Sequence, residues 1–169
     1  GFDQIYQFNT SDVIINKYSP APVFTKLVIN NSDIYPGQVI NNQEILKSSI
    51  KFQKSILLNQ QNKDFTILFN SSSYLNSRDN KYMYFLHGYD KEWHIGSERF
   101  AHYTNLSPGK YRFEVFSANN DGFWSDNPSK LEIRVNPSPF LSFWAVIIYL
   151  IVTVVLFYEI RRIILSRVL

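Results

Sequence analysis

Apolar and polar side chains alternate in short runs between residues 20 and 136, and no stretch there repeats with the period of a helix. "VFTKLVI" (23–29), "SILLN" (55–59), "DFTILF" (64–69), "KYMYFL" (81–86), "KYRFEVFSA" (110–118) and "KLEIRV" (130–135) read as strands, because side chains two apart share one face of a pleated chain. Phe65, Ile67 and Phe69 share a face of the third run. Tyr111, Phe113 and Val115 lie opposite Lys110, Arg112 and Glu114, and Leu131, Ile133 and Val135 lie opposite Lys130, Glu132 and Arg134. Such alternation marks half-buried antiparallel strands. "NNSD", "QQNK", "NSRDN" and "NNDG" punctuate the runs. "SPGK" predicts a type II turn, with Pro108 supplying a fixed φ and Gly109 a positive one. About seven short strands with turns between them predict an all-β, immunoglobulin/fibronectin-III-like β-sandwich over residues 20–136.

The alternation then stops. Val135 to Tyr158 contains no charged residue, and Phe140 to Tyr158 is a continuous apolar run. Its 19 residues would span roughly 28 Å as a helix, close to the ~30 Å hydrocarbon thickness of a bilayer. Trp144 and Tyr158 stand near its two ends as interface aromatics, and Ser142 and Thr153 can return hydrogen bonds to the helix backbone. The reading is one transmembrane α-helix over 140–158, joined to the sandwich by a proline linker at 137–139. Arg161, Arg162 and Arg167 follow it, so the positive-inside rule would place the C-terminus in the cytoplasm and residues 1–136 outside. In "EIRRIILSRVL" the apolar Ile160, Ile163, Ile164 and Val168 keep a helical stripe. Residues 159–169 are therefore expected to start a cytoplasmic helix, either a coiled-coil linker to an effector or a simple anchor.

Composition sharpens this picture in three places. Aromatic residues make up 17% of the 169, which favours pleated, half-buried surfaces. Cysteine is absent, so disulfides and thiolate metal sites are excluded. The net charge of +3 is uneven: past Tyr158 three arginines oppose one glutamate, leaving 14 bases against 13 acids before it. The outer part thus lacks the basic excess that a nucleic-acid partner would want. The chain opens on glycine without a leader-like segment, so it is expected to be a piece of a longer protein.

"YMYFLHGYDKEW" and "HYTNLSPGKYRFEVFSANNDGFW" resemble the triple-tyrosine (Y_Y_Y) domain. Tyr84, Tyr103 and Tyr111 match its three tyrosines. Gly88, Asp90 and Trp93 match its "LxGxDxxW" portion, and Leu106, Pro108, Gly109, Asn119, Gly122 and Trp124 match the remainder. The resemblance is close over about 45 residues and looser from Val23 onward. It implies a module that follows a β-propeller sensor and precedes a membrane helix in hybrid two-component sensor histidine kinases of Bacteroidetes-type bacteria, many of which sense glycan fragments. Residues 1–19 would then be the last propeller strand and its linker. The implied setting is the bacterial inner membrane, with residues 1–136 periplasmic and the propeller and kinase in the same chain; the short stiff link and the apolar stripe after the span predict a homodimer, at least in the full protein.

No cofactor, metal or catalytic residue is expected in this segment. His87, His94 and His102 lack a ligand spacing. Asp90, Glu92 and Glu98 are close enough in sequence to suggest an acid/base pair, yet Lys91 and Arg99 interleave them as in a solvated loop. Tyr89, Trp93, Phe123 and Trp124 have two readings, as sugar-stacking platforms or as packing for the sandwich core and its corners. The second is preferred, and more strongly for Tyr84, Tyr103 and Tyr111. Two alternatives to the connector remain: a membrane-tethered carbohydrate-binding sandwich, and the same connector joined to a DNA-binding effector.

Overall fold

The computed structural model describes residues 16–71, 80–138, 140 and 143–168. Residues 1–15, most of the expected propeller strand, lie outside it, as do Pro139 and Ser142. Eleven strands are present among the described residues: β1 (Val23–Ile29), β2 (Ser32–Asp33), β3 (Val39–Ile40), β4 (Gln43–Glu44), β5 (Ser55–Leu58), β6 (Phe65–Asn70), β7 (Lys81–His87), β8 (His94–Gly96), β9 (Phe100–Tyr103), β10 (Gly109–Ala118) and β11 (Ser129–Val135). The six expected runs all form strands. The extra ones are short, with two to four residues each, too few to show alternation in the sequence.

Two sheets carry the fold, with strand orders β2-β1-β6-β9 and β5-β11-β10-β7-β8. Every ladder is antiparallel except β5–β11, which runs parallel from Glu132↔Ser55 to Val135↔Leu58. The sheets face each other through one core. Leu27, Phe65, Ile67 and Phe69 of the first meet Tyr82, Leu86, Phe113, Val115 and Leu131 of the second. Phe24 lies 6.0 Å and Phe69 6.1 Å from Phe113, ring centre to ring centre. This is an immunoglobulin/fibronectin-III-like sandwich, and alternation produces it directly, because the inward residues of each strand are the apolar ones.

The turn expected at "SPGK" differs. Gly109 does not take a positive φ, since it is already the first residue of β10; the left-handed residue in this loop is Asn105, at φ 53°. An amide side chain tolerates that region well enough to relieve the glycine of the task.

After Val135 the chain leaves the sandwich. Asn136 donates its backbone N–H to Leu58 O (2.9 Å), and α1 (Phe143–Val168) begins seven residues later. Within it, Phe143–Leu165 is long and apolar enough to cross a membrane, and no part of that span is covered by the rest of the chain. The helix does not stop at Tyr158, because Ile160, Ile163 and Ile164 continue the apolar surface past Arg161 and Arg162. Thr153 Oγ1 donates to Tyr149 O (2.7 Å), so this hydroxyl is satisfied within the helix.

Candidate functional site

The loop between β7 and β8 closes on itself. Tyr89 N–H and Asp90 N–H both donate to Leu86 O (3.0 Å each). Gly88 sits at φ 93°, a backbone shape that glycine adopts at no steric cost. A Cβ there would also lie 3.2 Å from the Tyr111 ring. The loop places the Asp90 carboxylate under the sheet edge, where its side chain is only 5% exposed. One oxygen, Oδ2, accepts from Leu86 N–H (2.6 Å) and from the Tyr103 hydroxyl (2.9 Å). The other, Oδ1, lies 3.3 Å from His94 Nε2. Asp90 is therefore not the solvated loop acid that its charged neighbours suggested. Two donors compensate its burial, as a buried carboxylate requires.

The three tyrosines gather round this knot. Tyr103 is buried, and burial, followed by the nearby Asp90 charge, pushes its hydroxyl well above the usual tyrosine range. Tyr84 is half-buried and stacks on His94 at 5.0 Å and 21°; burial, then Asp90 and Glu98, raise its hydroxyl too. Both rings pack on Phe113, at 5.9 and 6.1 Å. Tyr111, near the start of β10, donates its hydroxyl back to Ser107 O (2.8 Å), the corner tie found in such sandwiches. Its ring lies over Gly109 and Gly88, so Tyr111 braces both loops at once. Leu106 plugs the core beneath them, fully buried, while Pro108 stays exposed.

Elsewhere the expected residues separate. Trp93 is 39% exposed and lies on the outer face of the five-stranded sheet, 5.1 Å from Phe85 and 5.9 Å from Phe116. Trp124 is equally exposed, where it bridges to Ala118. Tyr89 and Phe123 are exposed as well. These four therefore stay outside the core, while Tyr89 packs edge-on against Tyr103 at 5.5 Å, a contact of the corner kind. Gly122 takes a positive φ of 83° in the turn before Phe123. Trp144, Tyr158, Arg161 and Arg162 are exposed along α1, with Arg162 3.8 Å from Glu159.

Each histidine faces its own carboxylate: His87 meets Glu114 at 3.2 Å, His94 meets Asp90 at 3.3 Å and His102 meets Asp64 at 3.7 Å. Glu114 is a hub that pattern alone did not reveal. It holds Arg112 Nε (3.1 Å) and Lys130 Nζ (3.4 Å) besides His87. Burial acts to raise its pKa, but the bonds and charges of His87 and Lys130 outweigh that and hold it below the ordinary range.

A second seam was also not legible. Where the chain enters the sandwich, Asn119 Nδ2 donates to Asn16 O (2.5 Å) and Tyr18 O (3.2 Å), and its Oδ1 accepts from Asp121 and Phe123 N–H. Ser117 Oγ donates to Pro20 O (2.8 Å), and Ser129 Oγ to Pro22 O. "NNDG" marked a turn there and Asn119 was a motif match, but neither named the partners.

Comparison with known proteins agrees with this geometry. The family model for the Y_Y_Y domain matches residues 73–136. Histidine kinase P4 of Formosa agariphila is 34% identical over 145 residues, covering 86% of this chain and 10% of that protein. The extracellular domain of BT4673 from B. thetaiotaomicron, described as a hybrid two component system, is 27% identical with a TM-score of 0.61, covering 76% of this chain and 17% of that one. The extracellular domain of BT3049, described likewise, is 26% identical with a TM-score of 0.54, covering 71% and 16%. The chain thus spans about a tenth of the length of the curated relative it matches.

Proposed function

Starting from a chain that carries a Y_Y_Y domain at residues 73–136, we propose that it is the signal-transmitting module of a membrane-bound two-component sensor. An upstream propeller, sensing glycan fragments, passes a change of arrangement through the sandwich and α1 to a cytoplasmic histidine kinase in the same chain. The sandwich lies on the periplasmic side of the inner membrane, and two copies work as a pair. This segment itself performs no chemistry.

One observation carries the reading. β11 begins where Ser129 holds Pro22 of the entering segment and ends at Val135, next to the Asn136–Leu58 tie. A single central strand therefore joins the entry seam to the exit, and β10 and β5 hydrogen-bond along its flanks. The knot of Asp90, Tyr103 and Tyr111 stiffens the exit end, since β7 finishes and β10 starts there. A displacement applied at residues 16–22 has little soft structure to absorb it before Asn136. None of Tyr89, Trp93, Phe123 and Trp124 lines the groove described below, which supports a strut over a sugar-binding platform.

The test uses the full-length sensor, with cysteines introduced singly at 137–141 in the cysteine-free background of this segment. Disulfide-linked dimers are expected in the membrane. Inserting four glycines after Ser138 is expected to abolish the response of kinase output while leaving the ectodomain folded. An unchanged response would overturn rigid coupling, and absence of crosslinks at every position would overturn the paired arrangement.

A further inference from the structure

The outer face of the five-stranded sheet becomes more basic toward the exit. Lys110 and Arg134 stand directly opposite each other in the β10–β11 ladder, and Leu57 of β5 is next to Arg134 in register. This is the last outward-facing row before the chain leaves the sheet, because the following row, Gly109, Val135 and Leu58, turns inward. Like charges facing each other across two strands repel. The rows above are balanced, since Arg112 and Lys130 stand against Glu132 and Glu114 across the ladder, and Glu114 holds both bases. Lys110 and Arg134 are exposed and have no ion-pair partner among the described residues.

These two side chains line one end of an open groove of about 900 Å³, together with Lys47, Arg112 and the acids Glu44 and Glu132. Four bases against two acids leave the groove positive, counting histidine as neutral. Glu132 is in register with Arg112, one row above, so the surplus falls on the exit row.

We propose that this row binds the phosphate groups of anionic phospholipid headgroups in the membrane that α1 crosses; the proposal rests on that membrane reading. Arg134 supplies a planar fork suited to a phosphate's paired oxygens, and Lys110 and Lys47 add point charges. Connectivity places the row within reach. Asn136 is tied to the sandwich and Phe143 starts the helix, so the intervening chain reaches at most about 25 Å at ~3.5 Å per residue. The Phe140 N–H to Ser138 Oγ contact shortens it further. The headgroup layer itself occupies roughly 6 Å on each side. Docking the row would hold the sandwich upright on the bilayer, and lipid charge would bias the position from which a signal is passed on.

The test places the whole chain in nanodiscs of phosphatidylcholine alone or mixed with phosphatidylglycerol. A donor dye goes on Lys91→Cys, an exposed position in the exit-end loop after β7, and an acceptor on the headgroups. Energy transfer is expected to rise with phosphatidylglycerol and to lose that rise in high salt. Lys110→Gln and Arg134→Gln should each lower the docked-to-undocked ratio roughly fivefold. Lys130→Gln, whose charge already belongs to Glu114, should leave it unchanged. Equal transfer in both lipids overturns the proposal. So does reversal of the contact by inorganic phosphate at constant ionic strength, which would assign the row to a soluble anion. Tryptophan quenching by lipids brominated in the acyl chain, lost in Trp144→Phe, reports separately that α1 is inserted. Absence of that quenching overturns the membrane reading, and the headgroup assignment falls with it.

Discussion

Asp90 shows how one side chain decides a local structure. Its Oδ2 is the shared acceptor for Leu86 N–H and the Tyr103 hydroxyl, so substitution strands two donors in a nearly closed space. Asp90→Asn keeps the shape but loses the charge and one acceptor oxygen. It is expected to cost about 1–3 kcal/mol, measured by chemical denaturation followed in the near-ultraviolet. Titration gives a second residue-scale prediction. Tyr103 is held protonated in the folded state by burial and by Asp90, whereas the unfolded side chain ionises near pH 10. Above about pH 10 the unfolded state releases a proton that the folded state keeps, so stability falls as pH rises, by up to ~1.4 kcal/mol per pH unit for each such group. Tyr84 shifts in the same direction, so Tyr103→Phe should reduce the alkaline slope and not abolish it. Glu114 acts at the other limit. Its folded pKa is depressed, so its contribution is present above the ordinary carboxylate range and is lost as pH falls through the folded value. Glu114→Gln should flatten the acid limb of a melting-temperature profile.

At the scale of the element, the β7–β8 loop and the start of β10 form one unit. Gly88 is where they touch, with a φ of 93° and the Tyr111 ring in van der Waals reach. Gly88→Ala meets both obstacles, a disfavoured backbone and a contact at 3.2 Å that the Tyr111 ring must relieve by shifting a few tenths of an ångström. It is expected to destabilise by about 1–3 kcal/mol and to raise hydrogen exchange at Tyr89 and Asp90, whose amides bond to Leu86 O. The same substitution at Gly109 should be milder. That residue is in ordinary strand geometry, and an added Cβ would meet the Tyr111 ring at 3.5 Å, a normal contact distance. The pair therefore sets the joint cost of backbone strain and close contact at Gly88 against a methyl group that meets neither.

For the whole molecule, the two sheets share one core and should unfold together. Phe69 of β6 touches Tyr82, Tyr84 and Phe113 of the opposing sheet at 5.3, 5.8 and 6.1 Å. Phe69→Ala is expected to cost about 3–5 kcal/mol. Far- and near-ultraviolet signals should still fall in a single transition, with loss of the entry seam and exit knot at the same temperature. A transition that splits, leaving one sheet folded, would mean that the sandwich cannot act as a stiff strut.

What the sequence determined by itself was whatever depends on neighbours along the chain. The six long strands were legible because alternation repeats over enough residues to outweigh chance, and α1 because an uncharged run of that length has few other uses. The motif residues Tyr84, Gly88, Asp90, Tyr103 and Tyr111 were legible as a set from their order and spacing. Tertiary structure decided what depends on partners far apart in sequence. The short strands β2, β8 and β9 exist because longer neighbours offer them backbone partners, and β3 and β4 pair with each other. Trp93 stayed outside the core, where the outward Phe85 and Phe116 receive it, and Trp124 where it bridges to Ala118. Asp90 was buried because Tyr103, thirteen residues away, brought it a donor. The bare Lys110–Arg134 row arises from strand register, and no pattern within either strand alone can show which charges will face each other.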